Sequence, residues 1–188
     1  MGEPKLLVSL GEKTVFETAL ANHLASSIRL VCAVVAGWLP GFAPIVRKNR
    51  DERVRFLGMM EPCPMSQSLK SGWSWVESNW KPDAVMISLG DKPLVTSETI
   101  DLLIGSYISG GRGILVPTYH GTWGHPVIVS SSLGEEIMHL DGDRGALEVL
   151  TAHRDLICEV PVDSDEVVFD VDSSEDIVLL KKRLGLNG

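Results

Sequence analysis

The sequence predicts an α/β fold built on a mostly parallel sheet, and three observations predict it. Strand-like apolar runs alternate with amphipathic helical stretches along the chain, the pattern of helices packed on a parallel sheet. Residues 29–36 and 83–89 are continuous apolar runs without polar alternation, as strands covered on both faces are. A length of 188 residues suits one well-filled core and is short for two, so residues 1–188 are read as a single domain.

Taken in order, residues 5–10 form a short β-type run, and Gly11, Glu12 and Lys13 a turn. Val15, Phe16, Ala19, Leu20, His23 and Leu24 then recur at helical spacing. The apolar strand 29–36 closes at Gly37, a helix carries Phe42, Ala43, Ile45 and Val46, and residues 55–60 make a weaker strand. A helix starting near Ser66 puts Leu69, Trp73, Val76 and Trp80 on one face, which makes Trp73 and Trp80 core candidates. Strand 83–89 ends in Gly90-Asp91-Lys92-Pro93, followed by a helix over 97–107, a break at Gly110-Gly111 and a strand over 113–117. Residues 119–130 read as a turn and strand, 133–140 and 146–152 as short helices, and 156–161 and 167–171 as late strands. In the C-terminal helix Ser173 is the expected cap, with Asp176 three residues on, and Ile177, Leu180 and Leu184 face inward.

Composition narrows the function. With 44% hydrophobic and 22% charged residues and a mean hydropathy of +0.13, the chain has the make-up of a folded globular protein. Seventeen basic against 25 acidic residues give a net charge of −8, and without a basic run the protein repels duplex nucleic acid and anionic membranes. Three cysteines, Cys32, Cys63 and Cys158, with no CxxC spacing, argue against a disulfide framework and a structural zinc site. No basic segment leads into an apolar stretch and no apolar run approaches about 18 residues, so a cytoplasmic protein is expected.

The chemistry is expected at strand ends. Gly90 and Asp91 follow the clearest buried strand, and ligands of open α/β sheets bind outside strand carboxyl ends. Asp91 suits Mg²⁺ held beside phosphate oxygens; equally, it suits the first residue of a turn that Pro93 completes. Alternation puts Asp170 and Asp172 on the same side of the chain, where two carboxylates repel unless a cation sits between them. The other reading makes Asp172 or Ser173 a helix cap and leaves Asp170 solvated. Pro64, Met65, Ser66 and Ser68 open a helix, where free N–H groups attract anions; a serine cap with nothing bound fits the same residues. His125, within Gly124-His125-Pro126, has no role that spacing assigns. Asp143 and Arg144, between Gly142 and Gly145, fit either a phosphate contact or a loop clasp.

In order and spacing, six segments resemble the MobA-like nucleotidyltransferases, and among them the molybdenum cofactor cytidylyltransferases. They are Lys5-Leu6-Leu7 with Leu10-Gly11, Pro64 to Gly72, Leu89 to Thr96, Gly124-His125-Pro126, Gly142 to Ala146 and Asp170 to Asp176. The resemblance, over residues 1 to about 180, implies a Rossmann-like nucleotidyltransferase fold of the nucleotide-diphospho-sugar transferase type. It implies transfer of CMP from CTP to molybdopterin with release of pyrophosphate, a Mg²⁺ cofactor, and a molybdenum hydroxylase apoenzyme as a downstream partner. By position, Asp91 with Asp170 and Asp172 would hold the metal, and Lys5 would neutralise the triphosphate as a catalytic residue beside Asp91. Pro64, Met65, Ser66, Ser68 and Gly90 would line the nucleotide, and His125, Asp143 and Arg144 the cofactor side.

The family's pattern opens with a strand and a glycine-rich loop ahead of the lysine, whereas this sequence begins Met1-Gly2-Glu3-Pro4-Lys5. Three expectations cover the difference: a start further upstream, a trimmed chain, or residues 5–10 sliding into the vacant strand position. Cys63-Pro64, Lys92 and Leu147 also depart from the family's usual residues. Two other functions therefore stand beside the cytidylyltransferase: a non-catalytic cofactor-binding module or chaperone for a molybdenum hydroxylase, and a sugar-nucleotide pyrophosphorylase of the same fold.

Overall fold

The computed structural model describes residues 4–110 and 113–186. After a 3₁₀ turn at Lys5–Leu7, β1 (Ser9–Leu10) and β2 (Lys13–Thr14) make a small antiparallel hairpin closed by Gly11 at φ +67°. α1 (Val15–Ala25) starts from a capping box: the Thr14 hydroxyl accepts from the Glu17 amide, and the Glu17 carboxylate accepts from the Thr14 amide. β3 (Val31–Ala36), α2 (Phe42–Lys48), β4 (Val54–Met59), α3 (Met65–Trp80), β5 (Ala84–Ile87) and α4 (Ser97–Gly110) follow. The C-terminal half runs β6 (Ile114–Tyr119), β7 (Thr122–Trp123), β8 (Val127–Ser130), α5 (Gly134–His139), α6 (Leu147–Ala152), β9 (Ile157–Pro161) and α7 (Ser174–Arg183).

The fold is mixed α/β with helices on both faces of the strands. β3 and β4 pair in parallel, and β6 and β9 pair in parallel. β8 lies between β5 and β6 and runs antiparallel to both, so β5 and β6 keep a common direction. Period-2 alternation sorts the side chains between layers. Ile114 and Val116 of β6 join Trp73 of α3, Ile137 of α5 and Val149 of α6 in one cluster, while Leu115 turns to Leu103 of α4 on the other face. Ala33 and Val35 of β3 pack under Phe16 and Leu20 of α1 and Phe42 of α2.

Among the described residues no ladder joins β3 to β5, although helices bridge them on both faces. Gly72 of α3 lies against Val34 of β3, where a Cβ would sit 3.0 Å from the valine methyl, while its neighbour Trp73 packs with Val85 and Ile87 of β5. On the opposite face Phe16 of α1 covers Ala33 and Val35 and also closes on Gly90 beyond β5.

Of the run expected as strand over 5–10, only Ser9–Leu10 is one, and Lys5–Leu7 is a 3₁₀ turn. Leu6 and Leu7 are consecutive yet both pack inward, Leu6 between two clusters and Leu7 beside Phe42; a 3₁₀ turn allows that, and a strand with alternating faces does not. Residues 167–171 are no strand either. Asp165–Val167 is a 3₁₀ turn whose Asp165 carbonyl accepts from the Val168 and Phe169 amides, and a bidentate Arg183–Asp165 pair at 2.8 Å pins it. Trp80, at the frayed end of α3 before Lys81 turns left-handed, is 58% exposed, and Leu184 lies past the end of α7 at 37%. The expected break at Gly110-Gly111 has its second half outside the described residues, and its first half is the last residue of α4.

Candidate active site

The site forms where both ends of the chain meet the turn after β5. Leu10 and Val15 at the start of the chain cluster with Val171 and Leu180 at its end. That apolar contact brings Lys5 within reach of Asp172. The Lys5 ammonium lies 2.6 Å from Asp91 Oδ2 and 2.8 Å from Asp172 Oδ1, so one cation bridges the two carboxylates. The other oxygen of Asp91, Oδ1, is buried and has no hydrogen-bond partner. Burial lowers the Lys5 pKa, but the hydrogen bonds to Asp172 and Asp91 and their charges outweigh it and hold the group above its ordinary value.

Asp172 is free for this role because Ser173 takes the cap. The Ser173 hydroxyl accepts from the Asp176 amide at 3.1 Å, and Asp176 Oδ2 accepts from the amides of Asp172 and Ser173. Asp170 and Asp172 flank the wholly buried Val171 and meet different cations. Asp170 pairs with Lys92 at 2.7 Å, and Lys92 also donates to the Phe169 carbonyl at 3.3 Å. Lys92 is 3% exposed and so is the cation that sequence reasoning passed over. The signal was present as a lysine immediately after the strand-end aspartate, between it and a proline.

His125 stands with this group. Gly124 lets the chain approach the 165–167 turn closely; a Cβ there would meet the Val167 carbonyl at 2.6 Å, and the His125 amide donates to that carbonyl at 2.8 Å. Burial lowers the His125 pKa and the Lys92 ammonium pushes the same way, while a hydrogen bond to the Ile87 backbone and then the charges of Asp170 and Asp91 oppose them. Its Nδ1 is buried without a partner.

Asp143 lies at the start of α3, and Arg144 follows it in the chain. The Met65 amide donates to Asp143 Oδ1 at 3.0 Å, and the Ser66 amide donates to the Gly142 carbonyl at 3.1 Å. The Gln67 and Ser68 amides both reach the Pro64 carbonyl, so the four first amides of α3 all have partners. Ser66 is 2% exposed, Ser68 Oγ lies 3.4 Å from Cys63 Sγ, and Arg144 is exposed. At Gly90 an added Cβ would lie 3.2 Å from the Phe16 ring, so the chain passes close to α1 just before Asp91.

The donor chemistry fits a hard divalent cation. Asp91 and Asp172 offer oxygen ligands converging on one point, already occupied by positive charge, and Asp91 Oδ1 has a vacant acceptor site. Among the described residues no group of three or more ligating side chains comes together, so the expected set of Asp91, Asp170 and Asp172 does not assemble as a three-carboxylate group. Two surface grooves lie elsewhere, one beside Tyr119, His120 and Glu159, the other beside Asn22, Pro93 and Arg183; neither includes Lys5 or Asp91. No helix among the described residues is long and apolar enough to cross a membrane.

Comparison with known proteins gives this geometry a context. Rv0371c from Mycobacterium tuberculosis H37Rv superposes with a TM-score of 0.81 at 21% identity, over 97% of this chain and 90% of that one. A structure of Rv0371c in complex with manganese superposes at 0.77 and 21% identity, over 95% and 91%. A cytidylyltransferase from Leptospira borgpetersenii superposes at 0.74 and 16% identity, over 98% of this chain and 81% of that one. No protein of curated function matches the chain. The model of the MobA-like NTP transferase domain matches residues 1–156, well over half the sequence. The chain therefore belongs to the MobA-like NTP transferase family and is a nucleotidyltransferase.

Proposed function

We propose that the protein transfers CMP from CTP to the terminal phosphate of a molybdopterin-type cofactor and releases pyrophosphate, in the cytoplasm, ahead of a molybdenum hydroxylase apoenzyme. The observation that carries this reading is the convergence of Lys5, Asp91 and Asp172 outside the carboxyl end of β5, with a buried carboxylate oxygen left open. The cytidylyltransferase fold match and the six ordered motifs support the choice of CTP.

In this reading Asp91 and Asp172 would hold Mg²⁺, which when bound offsets charge on the phosphates, while Asp170, expected from the sequence as a third ligand, is paired with Lys92 instead. A terminal phosphate oxygen of the cofactor attacks the α-phosphorus of CTP, forming the new P–O bond as the bond to the β-phosphate bridge breaks and pyrophosphate leaves with the electron pair. Lys5 contributes positive charge to the triphosphate, and no nucleophilic side chain is needed. Pro64, Met65, Ser66, Ser68 and Gly90 line the nucleotide. His125, Asp143 and Arg144 face the second substrate, His125 from the carboxylate cluster and Asp143-Arg144 from the start of α3.

The test is pyrophosphate release from α-labelled CTP with Mg²⁺ and molybdopterin, with GTP run alongside. Asp91→Asn is expected to lower the rate on the order of 100-fold or more, with the far-ultraviolet circular dichroism unchanged; an active Asp91→Asn variant would overturn the assignment. One observation favours the non-catalytic cofactor-binding reading: the first amides of α3 already have partners, so that helix offers no open anion site. Calorimetry separates the two, since Mg²⁺-dependent CTP binding excludes the binding module, and cofactor binding without CTP binding excludes the enzyme.

A further inference from the structure

We propose that Lys5 is an exchangeable lock on the Asp91–Asp172 pair: its ammonium closes the metal seat in the free protein and leaves it when the nucleotide's phosphates offer another partner. The inference rests on the reading of Asp91 and Asp172 as that seat.

One ammonium holds both carboxylates, at 2.6 Å and 2.8 Å, in the space between them. A divalent cation ligated by the same two oxygens needs the same space and adds a second positive charge, so the seat takes one or the other. Removal of the lysine costs the fold little. Leu6 and Leu7 anchor the turn in the core just after Lys5, whereas the Lys5 side chain is itself 35% exposed and runs on a flexible four-carbon stem. Asp172 at 73% exposed stays hydrated when released, and only Asp91 Oδ1 and Oδ2 then lie inside with open acceptor sites. By contrast Asp170 keeps its own buried partner, Lys92, so the exchange is confined to Lys5.

A seat that must first expel a resident cation binds metal more weakly than the same seat left open. Because Lys5 gains the triphosphate as a partner only when nucleotide is bound, metal affinity and nucleotide affinity rise together in the native chain. The lock thereby keeps the metal seat closed until substrate is present.

The experiment is Mn²⁺ binding to the full-length protein without nucleotide, read from the electron paramagnetic resonance signal of free Mn²⁺. Lys5→Met and Lys5→Gln are each expected to bind Mn²⁺ on the order of tenfold more tightly than the native chain, within the range for coupled sites. Lys5→Arg, which keeps the charge, is expected to bind as weakly as the native chain. Asp91→Asn is expected to abolish binding in the native and Lys5→Met backgrounds alike. Should Lys5→Met and Lys5→Gln bind no more tightly while Asp91→Asn still removes the metal, the lock is wrong and the seat stands. Should Asp91→Asn leave Mn²⁺ binding unchanged in both backgrounds, the seat itself is wrong, and the lock falls with it.

Discussion

β5 and β6 are built from nearly equivalent apolar runs, Ala84-Val85-Met86-Ile87 and Ile114-Leu115-Val116, yet they end in different environments. Ile114, Leu115 and Val116 are wholly buried, while all four residues of β5 are only half-buried. The difference lies in their neighbours. β6 is hydrogen-bonded to β8 on one side and β9 on the other, whereas among the described residues β5 pairs with β8 alone and no ladder joins it to β3. Apolar content sets how much a strand gains from burial; the strands beside it set how much of that burial is realised. Asp91 follows the carboxyl end of β5, so the site stands at the end of the less buried of the two strands.

The largest test of that contrast is a pair of truncations. Leu115→Ala in β6 is expected to cost about 2–5 kcal/mol, because the cavity forms in a fully enclosed cluster. Met86→Ala in β5 is expected to cost about 1 kcal/mol, because its site is already half-open. Urea denaturation of the two variants measures both, and equal costs would mean that the β5 edge is as enclosed as β6.

A smaller effect separates the β3–β4 region by pH. His23 of α1 is 8% exposed, with Nδ1 2.8 Å from the Ala19 carbonyl and Nε2 without a partner. Burial lowers its pKa below 6.5, and the hydrogen bond to Ala19 only partly opposes this. Above 6.5 the imidazole is neutral in both folded and unfolded chains. As the pH falls below 6.5 the unfolded chain takes the proton first, so stability drops until the lowered native pKa is passed. Denaturation of the native chain and His23→Gln across pH 8 to about 5 is expected to show the extra acid loss only where the histidine is present.

The smallest effect is on thiol reactivity. Burial pushes the Cys32 thiol of β3 up to about 11, whereas Cys158 of β9 is exposed. At pH 8, a thiol reagent is expected to label Cys158 first and Cys32 only on unfolding, as mass mapping of the labelled peptides would show. Rapid labelling of Cys32 in the native protein would mean that the seam beside β3 opens readily.

Much of this was legible in the sequence. The α1, α3 and α7 helices follow from apolar spacing and, at α7, from the Ser173–Asp176 capping box. Residues 5–7 and 167–171 depart from the expected strands because such short apolar runs fit a strand, a 3₁₀ turn or an irregular segment equally, and only their packing partners choose. Asp91, Asp170 and Asp172 were identifiable as strand-end and loop carboxylates. Which cation each would meet was not, because Lys5 and Asp172 are joined through the Leu10–Val15–Val171–Leu180 cluster, at a sequence separation of 167.

The sequence by itself determined the family, the α/β alternation and the residue types available for phosphate and metal chemistry, since periodicity, capping and motif order are local properties of the chain. Only the tertiary structure decided that Lys5 bridges Asp91 and Asp172, that Lys92 is buried on Asp170, that His125 joins this group and that Asp143 instead caps α3. Those are contacts between distant segments, fixed by which apolar faces pack together, and no local pattern encodes them.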